Sequence, residues 1–291
     1  MIQPGQTRAA AGAGQIRDAD LDVYGLTHPG RSRDTNQDHF LICTLHKAMR
    51  VRRTSLPNPE LLEMPSERLA ALGMVADGVG GGMGGEEASR LTLEAIAAYV
   101  THTMQSYYTA DPDDQAAFVE CLQNAALQAH EAVQGQGKSN PSLAGMSTTL
   151  TLAISVWPEL YVLHLGDSRA YRLRDGTLER LTRDQTMAQE MLETGVFTES
   201  AAERSPYAHV LSSAIGGEFK PEVGHFDSLA GDRVLLCTDG LTKHVSDERI
   251  HECLSTATSA EQACHQLVDE ALADGGTDNV TVIVGLARLE G

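Results

Sequence analysis

The amino-acid sequence predicts an α+β fold in a single domain. Strand-like segments follow one another as in hairpins, and the amphipathic helical segments come in pairs instead of alternating singly with strands. The length of 291 residues lies near the upper limit for one domain, and no repeat of fixed period divides the chain. We therefore expect layers of hairpin-connected sheet and helix, and not the βαβ units of a parallel sheet.

The N-terminal part predicts a tail, two strands and an insertion. Residues 1–18 are rich in Gly, Ala and Gln without periodicity, which predicts a flexible tail before a domain over 19–291. Alternating apolar residues predict strands over 21–26 and 40–45. Residues 47–68 contain basic residues and three prolines, which predicts an irregular surface insertion.

An apolar strand over 69–76 runs directly into a glycine-rich turn over 77–85. Two amphipathic helices follow, with apolar faces that begin at Leu93 and at Phe118. The remaining predicted elements are strands over 147–156, 160–165 and 170–173, a helix over 184–193, a strand over 234–238, two short helices capped by Ser246 and Ser259, and a strand over 280–286.

The composition argues against several classes of function and location. Asp and Glu number 40 against 22 Lys and Arg, a formal charge of −18, whereas a nucleic-acid backbone requires a cationic surface. The acidic excess is compatible with simple solubility or with a carboxylate metal site. Five cysteines without a Cys-x-x-Cys pair indicate a reducing compartment. Without a membrane-length apolar run or a signal-peptide pattern, we expect a cytoplasmic protein with no membrane partner.

Five aspartates lie at the ends of predicted strands. Asp77 and Asp239 each end an apolar strand, Asp38 and Asp278 precede one, and Asp167 lies between two. Such carboxylates can converge at one edge of the core, where they would raise one another's pKa unless cations lie among them. Oxygen ligands without a His/Cys set indicate Mg²⁺ or Mn²⁺. Any one Asp-Gly pair is more often a turn, so the prediction depends on the whole set.

Seven sequence blocks resemble the metal-dependent protein phosphatase family, often called PP2C or PPM, in its bacterial form. The blocks are Arg33-x-x-Asn36-Gln37-Asp38, Val75-Ala76-Asp77-Gly78-Val79-Gly80-Gly81, Gly145-Met146-Ser147-Thr148-Thr149, Gly166-Asp167-Ser168-Arg169-Ala170-Tyr171, Leu181-Thr182-x-Asp184, Leu236-Cys237-Thr238-Asp239-Gly240 and Gly276-Thr277-Asp278-Asn279-Val280-Thr281. They occur in family order over nearly all of 20–291. A single Asp-Gly-x-Gly-Gly would be a weak signal, but the ordered set is specific.

The resemblance implies a four-layer α-β-β-α sandwich, in which two antiparallel sheets pack face to face with helices outside. It also implies hydrolysis of phosphoserine and phosphothreonine on proteins by a hydroxide that bridges two Mn²⁺ or Mg²⁺ ions. The implied partners are phosphorylated proteins, namely a Ser/Thr kinase and its substrates, and we expect a monomer. The alternative is a non-catalytic module of the same fold that binds a phosphoprotein or another partner without turnover.

The resemblance further assigns metal ligands. Asp77 would bridge two metal ions, with the carbonyl of Gly78 on the second. Asp239 and Asp278 would complete the ligands of the first metal. Asp167, with Asp239, would hold the third metal seen in bacterial members.

Two catalytic residues are implied in the same way. Asp38 would act through metal-bound water and orient the nucleophile. Arg33 would clamp the phosphate, where a planar guanidinium suits two oxygens; the alternative is a surface pair with Asp34. The chain departs from many eukaryotic members, which have His at the position of Val79 and Glu at that of Gln37. No imidazole at position 79 can therefore protonate the leaving alkoxide.

Overall fold

A computed structural model describes residues 21–49, 64–80, 83–107 and 115–287 of the chain. The predicted flexible tail, 1–18, lies outside the described residues. The strands are β1 (Leu21–His28), β2 (Asp38–Met49), β3 (Met64–Val79), β4 (Ser147–Thr148), β5 (Leu150–Val156), β6 (Glu159–Leu165), β7 (Arg169–Arg174), β8 (Thr177–Arg180), β9 (Glu222–Asp227), β10 (Arg233–Cys237) and β11 (Val280–Ala287). The helices are α1 (Met83–Tyr107), α2 (Gln115–Ser139), α3 (Met187–Glu193), α4 (Glu199–Glu203), α5 (Asp239–Thr242), α6 (Asp247–Thr256) and α7 (Ala260–Ala273).

The strands form two antiparallel sheets, as the resemblance predicts. One sheet has the order β1-β11-β10-β7-β8, and the other has the order β2-β3-β5-β6-β9, with β4 paired to β3. Three apolar cores separate four layers: one between α1/α2 and the second sheet, one between the sheets, and one between α6/α7 and the first sheet. The α-β-β-α sandwich is therefore confirmed.

The central strand β3 shows how the sequence supports this layering. Met74 and Ala76 are fully buried in the core beneath α1 and α2, whereas Val75 is fully buried in the core between the sheets. Successive side chains of a strand point to opposite faces, so a strand covered on both sides is apolar without interruption.

None of the helices among the described residues is long and apolar enough to cross a membrane.

The predicted irregular insertion over 47–68 is partly wrong. Strand β2 continues to Met49 and β3 begins at Met64, with Lys47 paired to Glu67 and Met49 paired to Met64. The register shifts between these two pairs, so that Pro65 lies within a bulge, where a residue without a backbone N–H is tolerated. The other two prolines of the segment lie in 50–63, outside the described residues.

Other differences are local. The helix predicted over 184–193 begins only at Met187, because the Thr186 side chain accepts a hydrogen bond from the Gln189 backbone and caps it. Strand β9 was not predicted at all. Ser246 and Ser259 cap α6 and α7 as predicted.

Candidate metal centre

The predicted strand ends meet at one edge of the sandwich. Asp38, at the start of β2, is the register partner of Asp77 near the end of β3. Asp239 lies just beyond the end of β10, and Asp278 lies just before β11, which pairs with β10. A cleft of about 690 Å³ opens at this edge. Its lining includes Arg33, Asp77, Gly78, Asp167, Asp239 and Asp278, and Asp38 lies beneath it, buried.

The Gly-Met-Ser-Thr-Thr block holds the backbone of Asp77. The Asp77 N–H donates to the hydroxyl of Thr149 (3.0 Å), and the Asp77 carbonyl accepts from the Thr149 N–H (2.9 Å) and the Thr148 hydroxyl (2.7 Å). Burial, followed by the charges of Asp38 and Asp239, raises the pKa of the Asp77 carboxyl well above its usual value. The site thus presents a partly buried carboxylate whose ionised form a bound cation would stabilise.

Asp38 is anchored through one oxygen only. Its Oδ2 accepts hydrogen bonds from the hydroxyls of Thr238 (2.8 Å) and Thr281 (2.7 Å). Its Oδ1 is buried without a hydrogen-bond partner among the described residues. Burial raises the pKa of Asp38 to about 7, and the charges of Asp239 and Asp278 add to the effect while the two hydroxyls oppose it.

Asp239 and Asp278 are paired with cations of the chain itself. The Nζ of Lys243 lies 2.6 Å from Oδ2 of Asp239 and 2.9 Å from Oδ2 of Asp278. Arg33 donates to both oxygens of Asp278, from Nε at 2.8 Å and from Nη2 at 3.0 Å. Burial acts to raise the pKa of Asp278, but the hydrogen bonds from Lys243 and Arg33 hold it below its usual value. Arg33 is therefore paired with Asp278, and the surface pair with Asp34 is not what the structure shows.

Asp167 faces Asp239 and a histidine across the cleft. Potential ligand atoms of Asp167, His209 and Asp239 lie within 4.8 Å of one another. Burial, with the charges of Asp239 and Asp184, raises the pKa of Asp167 to about 8. His209 is not among the predicted metal ligands; it comes from the weakly patterned segment between α4 and β9, where sequence periodicity carries no information on spatial neighbours.

Close backbone contacts hold the aspartate segments together. A Cβ added to Gly240 would lie 1.8 Å from the carbonyl oxygen of Asn279, and one added to Gly78 would lie 2.2 Å from that of Gly85. The Asn279 side chain donates to the carbonyls of Pro29 and Thr35, at 2.9 Å each, and accepts from the Gln37 N–H at 2.9 Å. The glycines and the asparagine of the sequence blocks thus place the carboxylates relative to one another.

Sequence reasoning missed the side chains that support the carboxylates. Thr238 and Thr281 belong to two of the sequence blocks, but nothing in the sequence indicates that their hydroxyls reach Asp38. Lys243 lies outside every block, one helical turn after Asp239. That spacing of four residues is the only signal that could have drawn attention to the pair.

The residues present fit a divalent metal ion with oxygen ligands. The donors are carboxylates and the carbonyl of Gly78, which suit Mg²⁺ and Mn²⁺. Asp38 Oδ1 and Asp239 Oδ1 are buried without a hydrogen-bond partner among the described residues, and such orphaned oxygens are costly unless a cation or a donor reaches them.

Comparison with known proteins leads to one family. The chain matches the family model of protein phosphatase 2C over residues 52–274. It is 40% identical over 219 residues to the serine/threonine protein phosphatase PstP of Mycobacterium tuberculosis, which is 75% of this chain and 40% of that protein. It is 30% identical over 213 residues to the serine/threonine phosphatase Stp of Listeria monocytogenes, which is 72% of this chain and 82% of that protein.

Solved structures agree with the sequence matches. A crystal structure of the catalytic domain of PstP in complex with two manganese ions has a TM-score of 0.70 and 31% sequence identity. The alignment covers 92% of this chain and 99% of that domain. The chain therefore matches the catalytic domain of PstP closely in extent, although it spans less than half of the complete PstP chain.

Proposed function

Since the chain belongs to the protein phosphatase 2C family, we propose that it hydrolyses phosphoserine and phosphothreonine on proteins with divalent metal ions in the aspartate cluster. The observation that carries the proposal is the convergence of Asp77, Asp167, Asp239 and Asp278 on one cleft. A module that only binds a partner has no need of such a cluster, because crowded carboxylates repel one another unless cations lie among them.

The metal ions would be Mn²⁺ or Mg²⁺, held by Asp77, Asp239, Asp278 and the carbonyl of Gly78, with a third ion at Asp167 and Asp239. When bound, such ions acidify water to hydroxide near neutral pH and offset the negative charge of the phosphate. The two manganese ions in the structure of the PstP catalytic domain support this choice.

Arg33 would clamp the substrate phosphate. Its guanidinium lies at the mouth of the cleft on a half-exposed side chain and makes a two-pronged contact with Asp278. A phosphate offers two oxygens in a geometry similar to that of a carboxylate. The same fork can therefore exchange its carboxylate partner for the phosphate when substrate enters.

Asp38 would orient the attacking water. Thr238 and Thr281 hold Oδ2, which leaves Oδ1 as the oxygen able to accept a hydrogen bond from water. Val79, which lines the cleft, has no proton to give, so a water molecule would have to protonate the leaving alkoxide.

The partners would be phosphoproteins, in particular a Ser/Thr kinase and its substrates, and the enzyme would act as a monomer. The names of the bacterial relatives, all of them protein or serine/threonine phosphatases, support the substrate class.

The test is hydrolysis of p-nitrophenyl phosphate and of phosphoserine, phosphothreonine and phosphotyrosine peptides, with Mn²⁺ and with EDTA. We expect Mn²⁺-dependent release of phosphate from the first two peptides. The variant Asp77→Asn should lower this turnover. Its matched control, Asp269→Asn at an exposed position of α7, should retain it. Folded protein without Mn²⁺-dependent turnover would contradict the proposal and favour the non-catalytic binding module.

A further inference from the structure

Lys243 places an ammonium group between two carboxylates of the proposed metal centre. Its Nζ contacts Oδ2 of Asp239 at 2.6 Å and Oδ2 of Asp278 at 2.9 Å. We propose that Lys243 is a tethered counter-cation, which holds this position in the metal-free protein and competes with a divalent ion for it. The inference rests on the proposed function, because it takes Asp239 and Asp278 to be metal ligands.

The competition follows from the shared oxygens. A divalent ion that bound both Oδ2 atoms, at the ~2.1 Å typical of Mg²⁺, would lie between the same two oxygens that now contact Nζ. The ammonium and the ion carry charges of the same sign, and both need the same oxygen lone pairs. An ion that binds through these two Oδ2 atoms therefore requires the ammonium of Lys243 to leave, and the energy of the two ion pairs of Lys243 is subtracted from the binding energy of the metal.

The backbone prepares Lys243 for this contact. Lys243 follows α5 one turn after Asp239, and its N–H donates to the Asp239 carbonyl at 2.9 Å. The side chain thus returns over its own helical turn to Asp239 and reaches Asp278, which is 35 residues away in the sequence. Because Lys243 lies on the same helical turn as Asp239, its side chain loses less conformational entropy in forming the ion pair than a freely moving side chain would.

Burial makes this contact stronger than an ordinary surface pair. The side chains of Lys243, Asp239 and Asp278 are 25%, 13% and 18% exposed, so solvent screens them only partly. Lys220 offers a contrast within the same chain. Its Nζ lies 3.5 Å from Glu190, and its side chain is 54% exposed.

Arg33 cannot replace Lys243 in this role. It contacts Asp278, and its side chain is 53% exposed. Among the ion pairs of the described residues, Lys243 is the one cation that bridges two aspartates of the cleft. Removing its charge should therefore lower the stability of the metal-free protein and raise its affinity for the metal ion.

The experiment uses the full chain after treatment with EDTA and dialysis. Mn²⁺ is titrated into wild type, Lys243→Met, Lys243→Arg and Lys220→Met by calorimetry, and thermal unfolding is recorded without metal. Methionine keeps most of the apolar stem of lysine and removes the charge. We expect Lys243→Met to bind the first Mn²⁺ about tenfold more tightly, which equals about 1.4 kcal/mol, and to unfold at a lower temperature without metal.

The controls separate a tethered contact from a general effect of charge. Lys220→Met changes the net charge equally and should leave the Mn²⁺ affinity and the unfolding temperature at their wild-type values. Lys243→Arg keeps the charge and should stay near wild type in both measurements. If Lys243→Met is unfolded without metal, Lys243→Gln takes its place with the same expected order of affinities. A folded Lys243→Met or Lys243→Gln variant that binds Mn²⁺ no more tightly than wild type overturns this inference alone. Wild type that binds no Mn²⁺ overturns the proposed function as well.

Discussion

Gly240 offers a test of how closely the aspartate segments must approach. In Gly240→Ala the new Cβ would lie 1.8 Å from the carbonyl oxygen of Asn279, whereas real contacts are essentially never under 3.0 Å. The obstructing atom belongs to the backbone and not to the end of a flexible side chain, so the segment that carries Asp239 must move away from the one that carries Asp278. Metal–oxygen distances vary by only about 0.2 Å, whereas the displacement needed to relieve this clash is several times larger.

The expected cost is at the upper end of the range for overpacking, about 3 kcal/mol. For a chain of this size that corresponds to a fall in Tm of roughly 6 °C. Differential scanning fluorimetry with EDTA measures the stability, and calorimetric titration measures the affinity for Mn²⁺, which we expect to fall at least about tenfold.

Gly135→Ala is the matched control for this experiment. Gly135 lies in α2, and a Cβ there would meet nothing within 4 Å. Because alanine has the higher helix propensity by about 1 kcal/mol, this variant should be as stable as wild type or more stable, with unchanged Mn²⁺ affinity. Gly240→Ala with wild-type Tm and wild-type Mn²⁺ affinity would refute the claim that this backbone contact sets the distance between the two aspartates.

Three further predictions concern the carboxylates and the arginine. Asp77→Asn should lower Mn²⁺-dependent turnover of p-nitrophenyl phosphate at least about 100-fold and leave the circular dichroism spectrum unchanged; retained turnover would contradict its role. Arg33→Ala should raise KM for a phosphopeptide about tenfold or more, since a charge-assisted pair contributes about 1.5–3 kcal/mol; unchanged KM and kcat would argue against the phosphate clamp. The pKa values of Asp38 and Asp167 in the folded protein are raised, to about 7 and about 8. Between pH 6 and pH 8 the folded state therefore binds more protons than the unfolded state, and in EDTA the free energy of unfolding should fall as the pH rises through this range. Asp167→Asn should flatten that slope in urea denaturation, and an identical slope would show that Asp167 is not its source.

Much of the fold could be predicted because its elements carry local patterns. The apolar faces of α1 and α2 and the strand that leads to Asp77 follow from periodicity, and the capping serines of α6 and α7 follow from local hydrogen bonding. The ends of the β2–β3 hairpin could not be predicted, because prolines and basic residues are typical of loops. There the pairing of Lys47 with Glu67 and of Met49 with Met64 extends the strands around a bulge.

The carboxylates of the candidate metal centre could be named from the linear chain, because ordered blocks and predicted strand ends can be read along it. The groups that surround those carboxylates depend on the folded arrangement. Thr281 reaches Asp38 across 243 residues, and Lys243 reaches Asp278 across 35. Hydrogen bonds and ion pairs act over a few ångströms in space, and they do not depend on how far apart the two residues lie along the chain. The partners of a buried charge therefore become known only when the sheets have brought distant segments together.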